Sequence, residues 1–464
     1  MLLPAIVAIH ILPFQAVRIA ETKLFKNEKG KIAPGSIAIS PDLAHYSYST
    51  MDHKMVIDGK SFGPYLSNGA VLYSGDSKTY AFLASVKPGV APVLYWNGVE
   101  KSTEYPVSNV LRAGETGGIC WVEHRLVISK NELDPTKEDR QDYTRLMMPT
   151  GLTAWFERVE KIYFSEDGST YALRTNEKIP IKDLPKDNQA APTSRDYIVR
   201  SDGTKSLRNS TIQVFPAPNG QGFATLASEF SQVSDYSVEF RGKATLFKGE
   251  FFGKPVFSPD GKQFAFRISF TGHTKDGLNI PYFQYFIGGY SFPDLQAQSG
   301  LTYAPDGKMW VMCGMNMKEP FIYISNQGMV SYSDFPGLGS APPEPYKIAK
   351  FANGKIVLLF QPKRQKPSLF VVGKGVFTLG AFTAFPDTIS ISPDGKNLVL
   401  AGADAKETRA FLVNLENPGP AVEIIKPSYD LQNLGKGTFV WKNNSDVQFM
   451  ILKNSELIRV TASL

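Results

Sequence analysis

Histidine and cysteine are scarce in this chain, five of one and two of the other among 464 residues, and that scarcity narrows the chemistry open to it. A metal centre built on imidazoles needs several rings converging on one point. His10, His45, His53, His124 and His273 follow no spacing that suggests one, and they read as solitary surface or core side chains. Cys120 and Cys313 stand beside Trp121 and Met312 in apolar runs, where a thiol acts as a small buried hydrophobe. A bridge between the two stays open, but there is no disulfide framework and no CxxC pair. No metal or cofactor site is expected.

Catalytic signatures are missing as well. Neither G-x-x-x-x-G-K-[ST] nor G-x-G-x-x-G occurs, which removes the phosphate-cradling loops. The nearest approach to a nucleophile elbow, Gly289-Tyr290-Ser291-Phe292-Pro293, ends on the wrong residue, and no α/β-hydrolase half follows it. Long basic blocks are also absent: the net charge of +6 comes from 50 basic and 44 acidic residues spread along the chain, so nucleic acid is not implied. The densest basic stretch holds Lys363, Arg364 and Lys366; it reads as the tip of a solvated hairpin that could meet an anion. Past residue 20 no run reaches the ~18 apolar residues of a membrane helix. Before it, Leu2–Leu12 is apolar and similar to the hydrophobic region of a secretory signal, although no Lys or Arg leads it and no good cleavage site follows. Residues 1–20 are read as an export signal or as a first strand, with residues 21–464 forming the repeat domain. An exported setting is the matching localisation, and the cytoplasm is the alternative.

What the chain does have is apolar and aromatic residues, 42% and 12%, broken up by 39 Gly and 32 Pro. Glycine and proline recur as punctuation between short runs of Val, Ile, Phe and Tyr, the pattern of strands and turns. One phrase returns along the chain. Ser258-Pro259-Asp260-Gly261-Lys262 precedes Phe264-Ala265-Phe266, Ala304-Pro305-Asp306-Gly307-Lys308 precedes Trp310-Val311-Met312, and Ser392-Pro393-Asp394-Gly395-Lys396 precedes Leu398-Val399-Leu400. Weaker copies begin at Ser40, Ser74, Ser165, Ala217, Asn353 and Asn443, and the Gly114–Trp121 region could hide a tenth. Proline presets φ for the first turn position, Asp bonds nearby backbone, and Gly takes the positive φ that closes the hairpin. The repeated Asp260, Asp306 and Asp394 are therefore expected to cap backbone rather than to work as acids or bases.

The three strong copies start 46 and then 88 residues apart, close to one and two steps of the ~44 residues of a four-stranded blade. A second set of turns, Asp58-Gly59, Asn97-Gly98, Asp202-Gly203, Gln327-Gly328 and Lys374-Gly375, follows within most units; Asp-Gly and Asn-Gly favour the type I′ hairpin. Two hairpins per unit make four strands, which must bury their faces against neighbouring units. The chain thus resembles the WD40-like, PDG-repeat propellers of the TolB type through the inner phrase Ser258–Phe266 and the outer phrase Val56–Lys60. The resemblance covers roughly residues 37–464 and implies an all-β propeller of four-stranded blades, roughly eight to ten units, as one closed ring or as two smaller propellers. It does not imply one function, because such propellers serve as binding platforms and as enzyme scaffolds.

Thr438–Leu464 looks one strand short, so Arg18–Lys26 or Lys31–Ile39 is expected to complete that unit. Four stretches depart from the repeat: Asn131–Arg145 and Lys182–Asp196, both expected as surface loops; Phe270–Phe286; and the Pro-rich Gly337–Tyr346. Loops on a rigid scaffold are where function concentrates. The candidate binding residues are His273, Lys275, Asp276, Tyr282, Tyr285, Lys363 and Arg364, with core packing the competing reading for the aromatic run Tyr282–Phe286. The expected function is non-catalytic binding or scaffolding, with a protein or small molecule meeting a propeller face. A propeller enzyme acting on glycans and a self-assembling envelope protein are the alternatives.

Overall fold

Each repeat phrase brings two strands together through its own hydrogen bonds, and in the computed structural model of the chain every such hairpin opens a small antiparallel sheet. The structure describes residues 17–26, 31–33, 35–130, 136–148, 151–178, 194–207, 211–228, 235–253, 255–273, 279–288, 290–295, 297–315, 320–325, 328–331, 348–352, 355–360, 366–371, 374–403, 408–424, 430–431, 438–453 and 456–464. Among these residues there is no helix, and the strands form ten four- or five-stranded sheets, nine of them built from consecutive strands. These are propeller blades, and the fold is an all-β propeller. In chain order blades 1 to 9 span residues 38–62, 67–101, 107–152, 159–207, 211–248, 250–295, 297–331, 348–378 and 383–423, and blade 10 joins residues 430–463 to Arg18–Lys26. The hidden hairpin is real: residues 113–118 link Val107–Arg112 to Ile119–Lys130 in blade 3. None of the weaker hairpins is an insertion, since each leads its own sheet.

The expected closure also holds. Arg18–Lys26 lies antiparallel to Glu456–Ser463, from Arg18 opposite Ser463 to Lys26 opposite Glu456, and it is the outermost strand of blade 10. The domain boundary expected at residue 20 therefore falls inside a strand.

The chain divides into two compact units, residues 27–380 holding blades 1 to 8, and residues 1–26 with 381–464 holding blades 9 and 10. Within each unit the core lies between consecutive blades. Met55 and Ile57 of blade 1 pack with Tyr73 and Phe82 of blade 2. Leu226 and Val238 of blade 5 pack with Phe264 and Phe266 of blade 6, and Val399 and Ala410 of blade 9 pack with Phe449 and Ile458 of blade 10. A central strand covered on both faces reads as an unbroken apolar run, as in Asn397–Ala403, where the five inner residues are all buried.

One stretch expected as a loop is a strand. Glu138–Met148 pairs with Ile119–Lys130 over ten residues, from Trp121 opposite Met147 to Lys130 opposite Glu138, whereas the blade's first and fourth strands reach only Val107–Arg112 and Gly151–Leu152. The distal part is a two-stranded ribbon without a core-facing side, so its sequence shows no apolar period, and Leu126 and Ile128 stay 52% exposed. Cys120 is a free buried thiol, and burial pushes its pKa up to about 12, as befits a core side chain.

Candidate functional site

The inner turns place the polar groups of the fold. In blade 6 the buried Ser258 hydroxyl donates to Asp260 Oδ1 at 2.6 Å and accepts from the Gln263 N–H at 2.9 Å. Asp260 Oδ1 also accepts the Lys262 N–H at 3.1 Å, and Gly261 sits at φ 69°. Blades 1, 2, 4 and 9 repeat the serine–aspartate contact at Ser40–Asp42, Ser74–Asp76, Ser165–Asp167 and Ser392–Asp394, at 2.6–2.7 Å. Hydrogen bonds from the serine and the turn N–H hold Asp76, Asp260 and Asp394 below the usual carboxylate range. For Asp167 burial pushes upward, but bonds from Ser165, Asn219 N–H and Ser169 outweigh it. Carboxylates held ionised by structural donors make poor proton shuttles.

The same turns reach from blade to blade. Asp42 N–H donates to Ser77 Oγ (3.0 Å), Gly75 N–H to Gly117 O (2.8 Å), and Glu115 N–H to Glu166 O (2.7 Å). Further on, Asn219 N–H donates to Asp167 Oδ2 (2.8 Å), and Asn219 Nδ2 donates to Pro259 O (2.6 Å). The inner turns of blades 1 to 6 thus form a belt that fixes neighbouring blades, mostly through backbone groups, with the Asp167 carboxylate as a side-chain link.

The lysine that ends the phrase is placed by the turn that precedes it. Lys262 and Lys308 occupy the same position in blades 6 and 7, their N–H groups fixed on Asp260 and Asp306 at 3.1 and 3.0 Å. Both residues border a cleft of about 1100 Å³ that also takes Arg241 and Lys243 from the outer hairpin of blade 5. All four cations are exposed. Among the described residues the other polar side chains on its wall are Thr245, Gln263 and Ser291, and no carboxylate lines it. Lys262 has a loose ion pair with Asp260 at 3.8 Å; Arg241, Lys243 and Lys308 have no ion-pair partner among the described residues. Its floor is Val238, Phe240, Phe264, Phe266, Phe286, Ile287 and Trp310. Such a cleft attracts anions and offers them an apolar base.

A second cleft, about 790 Å³, runs along the inner turns of blades 3 to 6 past Tyr163, Gln213 and Phe215, with Glu115, Glu166 and Asp167 on its wall. Those turns are part of the belt. Among the described residues no three His, Cys, Asp or Glu side chains gather where a metal could sit. His45 Nδ1 meets Asp58 Oδ2 at 2.8 Å on blade 1, and His124 Nε2 meets Ser108 Oγ at 2.7 Å on blade 3. Among the described residues the serine–histidine pair has no carboxylate orienter, and His124 Nδ1 faces Thr144 Oγ1 at 3.5 Å.

Comparison with known proteins adds the following. No family model and no curated protein matches the chain. Among solved structures, TolB from Acinetobacter baumannii is 14% identical, with 73% of this chain and 79% of that one covered and a TM-score of 0.26. The β-propeller domain of the Trilobed protease from Pyrococcus furiosus is 9% identical over 70% and 98%, at 0.29, and an oligogalacturonate lyase in complex with manganese is 12% identical over 74% and 96%, at 0.31. All three TM-scores are low, and the fold rests on the sheets described above.

Of the residues singled out from sequence, Tyr282 and Tyr285 are buried, 8% and 4% exposed, and Tyr285 packs in the core between blades 6 and 7. His273 ends the strand Phe264–His273 opposite Asn279. Lys275, Asp276, Lys363 and Arg364 lie outside the described residues, as do Gly337–Tyr346 and residues 182–193. Neither Tyr282 nor Tyr285 lines the basic cleft. A signal for it was present in the sequence: the same lysine ends the phrase in consecutive repeats, and such a side chain lands on the same rim each time.

Proposed function

We propose that the protein is a non-catalytic binding propeller that takes an anionic ligand in the cleft between blades 5, 6 and 7. The observation behind this reading is the unbalanced cleft: among the described residues it has four cations, no carboxylate, and an apolar floor. Isolated cations on a folded surface are commonplace; four around one concavity focus a field. The acids of the repeated turns are occupied by hydrogen bonds within and between blades, which favours binding over acid–base chemistry. The apolar run Leu2–Leu12 supports an exported setting.

Tripolyphosphate, a compact polyanion, tests the site without presupposing its natural occupant. Trp310 lines the cleft, so titration should alter the tryptophan emission of the wild type saturably. Lys308→Glu should weaken binding at least about tenfold, the equivalent of about 1.4 kcal/mol, and Trp310→Phe should remove the emission signal. Equal binding by wild type and Lys308→Glu would refute the assignment.

A further inference from the structure

The geometry points to an acidic peptide in extended form as the occupant of the basic cleft, a deepening that rests on the anion-binding reading above. Three features of the cleft narrow the choice.

The first is the spacing of charge. Lys262 and Lys308 repeat one turn position on successive blades, while Arg241 and Lys243 flank one hairpin glycine at the outer side of blade 5. Cations arranged along a cleft rather than gathered at a point suit a chain carrying several carboxylates. A single phosphate could engage only part of the set.

The second is the state of the aromatic floor. Sugars and bases are held by stacking on open ring faces, and here the rings cover one another. Phe266 and Phe286 stack at 4.8 Å with their planes 8° apart. Trp310 lies against Tyr323 at 5.2 Å and 12°, and Phe292 meets its edge at 5.7 Å. Phe264, Phe240 and Phe257 pack against one another with ring centres 4.9–5.6 Å apart. Trp310 and Phe264 are 8% and 7% exposed. A floor whose described rings are packed against one another suits a small aliphatic side chain better than the stacking of a sugar ring or a base.

The third is a strand edge that has no partner among the described residues. Lys243–Lys248 pairs with Asp235–Phe240 on one side and ends its sheet on the other, and its first three residues line the cleft. Unpaired N–H and C=O groups on such an edge are satisfied by another extended backbone. Successive side chains of that backbone would alternate, so carboxylates at every second position would face the cations together. The terminal lysines that guard the edge against indiscriminate pairing would select for the same acidic sequence.

The test uses the full chain and a fluorescein-labelled peptide of about ten residues alternating Glu with Ala and Leu, long enough to span about 33 Å when extended, read by fluorescence anisotropy. Its partner probe carries Gln for every Glu. The wild type should bind the Glu peptide, lose affinity as salt rises, and bind the Gln peptide at least about tenfold more weakly. Lys243→Glu and Lys308→Glu should each cost about tenfold or more, while Lys87→Glu, at an exposed position on blade 2, should cost nothing; thermal melts of all three variants establish that they fold. Equal affinity for the two peptides, or indifference to Lys243→Glu and Lys308→Glu, overturns the peptide assignment. Saturable tripolyphosphate binding with no peptide binding overturns it too, while sparing the anion site. Failure of both probes removes both readings.

Discussion

Serine, aspartate and glycine of the turn phrase hold three separate jobs, and each can be removed singly. The Ser258 hydroxyl is fully buried and bridges Asp260 to the Gln263 N–H. Ser258→Ala leaves that N–H without its side-chain acceptor and should cost about 1–2 kcal/mol in a denaturant titration. Blade 7 supplies the reverse experiment, because Ala304 stands where the other strong copies have serine, and Asp306 still caps the Lys308 N–H. Ala304→Ser should recover about 0.5–1 kcal/mol; a loss of stability would show that the pocket around Ala304 has closed over the missing hydroxyl. Glycine does more than its positive φ suggests. A Cβ on Gly261 would collide with the Pro218 carbonyl of blade 5, whereas one on Gly203, at φ 83°, would meet open space. Gly203→Ala should therefore cost only the conformational strain, about 1 kcal/mol, and Gly261→Ala about 2 kcal/mol or more. Similar values for the two would mean that blade-to-blade contact at the turn adds nothing. The backbone role of the glycine was legible in the sequence, since φ preference is a property of the residue; the contact was not, since it depends on the turn one blade earlier.

At the scale of the strand, the sequence was most legible where a local device sets the geometry. Asp58-Gly59 and Asn97-Gly98 adopt the paired positive φ of the expected hairpin, and Arg241-Gly242 does so without Asn or Asp. It was least legible in blade 3, where a polar segment extends a strand beyond the core and loses the apolar alternation that marks strands elsewhere. The long-range pairing that could be inferred was the closing strand, because a unit short of one strand must borrow it. Arg18–Lys26 exposes most of its side chains, so it contributes through its ladder to Glu456–Ser463 and through ion pairs such as Lys23–Glu456 at 3.0 Å. Exposed pairs add little, and the ladder is the larger part. Deleting residues 1–26 uncovers the edge of Glu456–Ser463 and should lower the melting temperature of the unit formed by residues 381–464, with hydrogen exchange quickening along 456–463. An unchanged melt would mean that blade 10 is complete with its own strands.

Over the whole molecule, repetition turns a small local effect into a property of the fold. It also separates what the sequence could tell from what it could not: the turn phrase identifies the blade, but the basic cleft arises where Lys262 and Lys308 of two phrases meet Arg241 and Lys243 of an unrelated hairpin, a convergence that no single segment displays. The turn carboxylates give the same lesson in stability. Asp76, Asp167, Asp260 and Asp394 are each held below the ordinary carboxylate value by donors that exist only in the folded chain. A depressed folded-state pKa favours the native state at pH values above the unfolded one, about 3.9 for Asp, and that contribution is lost as the pH falls through the folded-state value. Stability should accordingly be level in this respect from pH 7 to about 5 and fall below about 4. Guanidinium midpoints measured across that range should show the fall, and the combined Ser74→Ala, Ser165→Ala, Ser258→Ala and Ser392→Ala variant should start from a lower midpoint and decline less steeply with acid, because each substitution brings one aspartate back toward its unfolded pKa. If the variant and the wild type lose stability in parallel below pH 4, the acid response comes from other carboxylates and the serine–aspartate pairs serve the turn geometry alone.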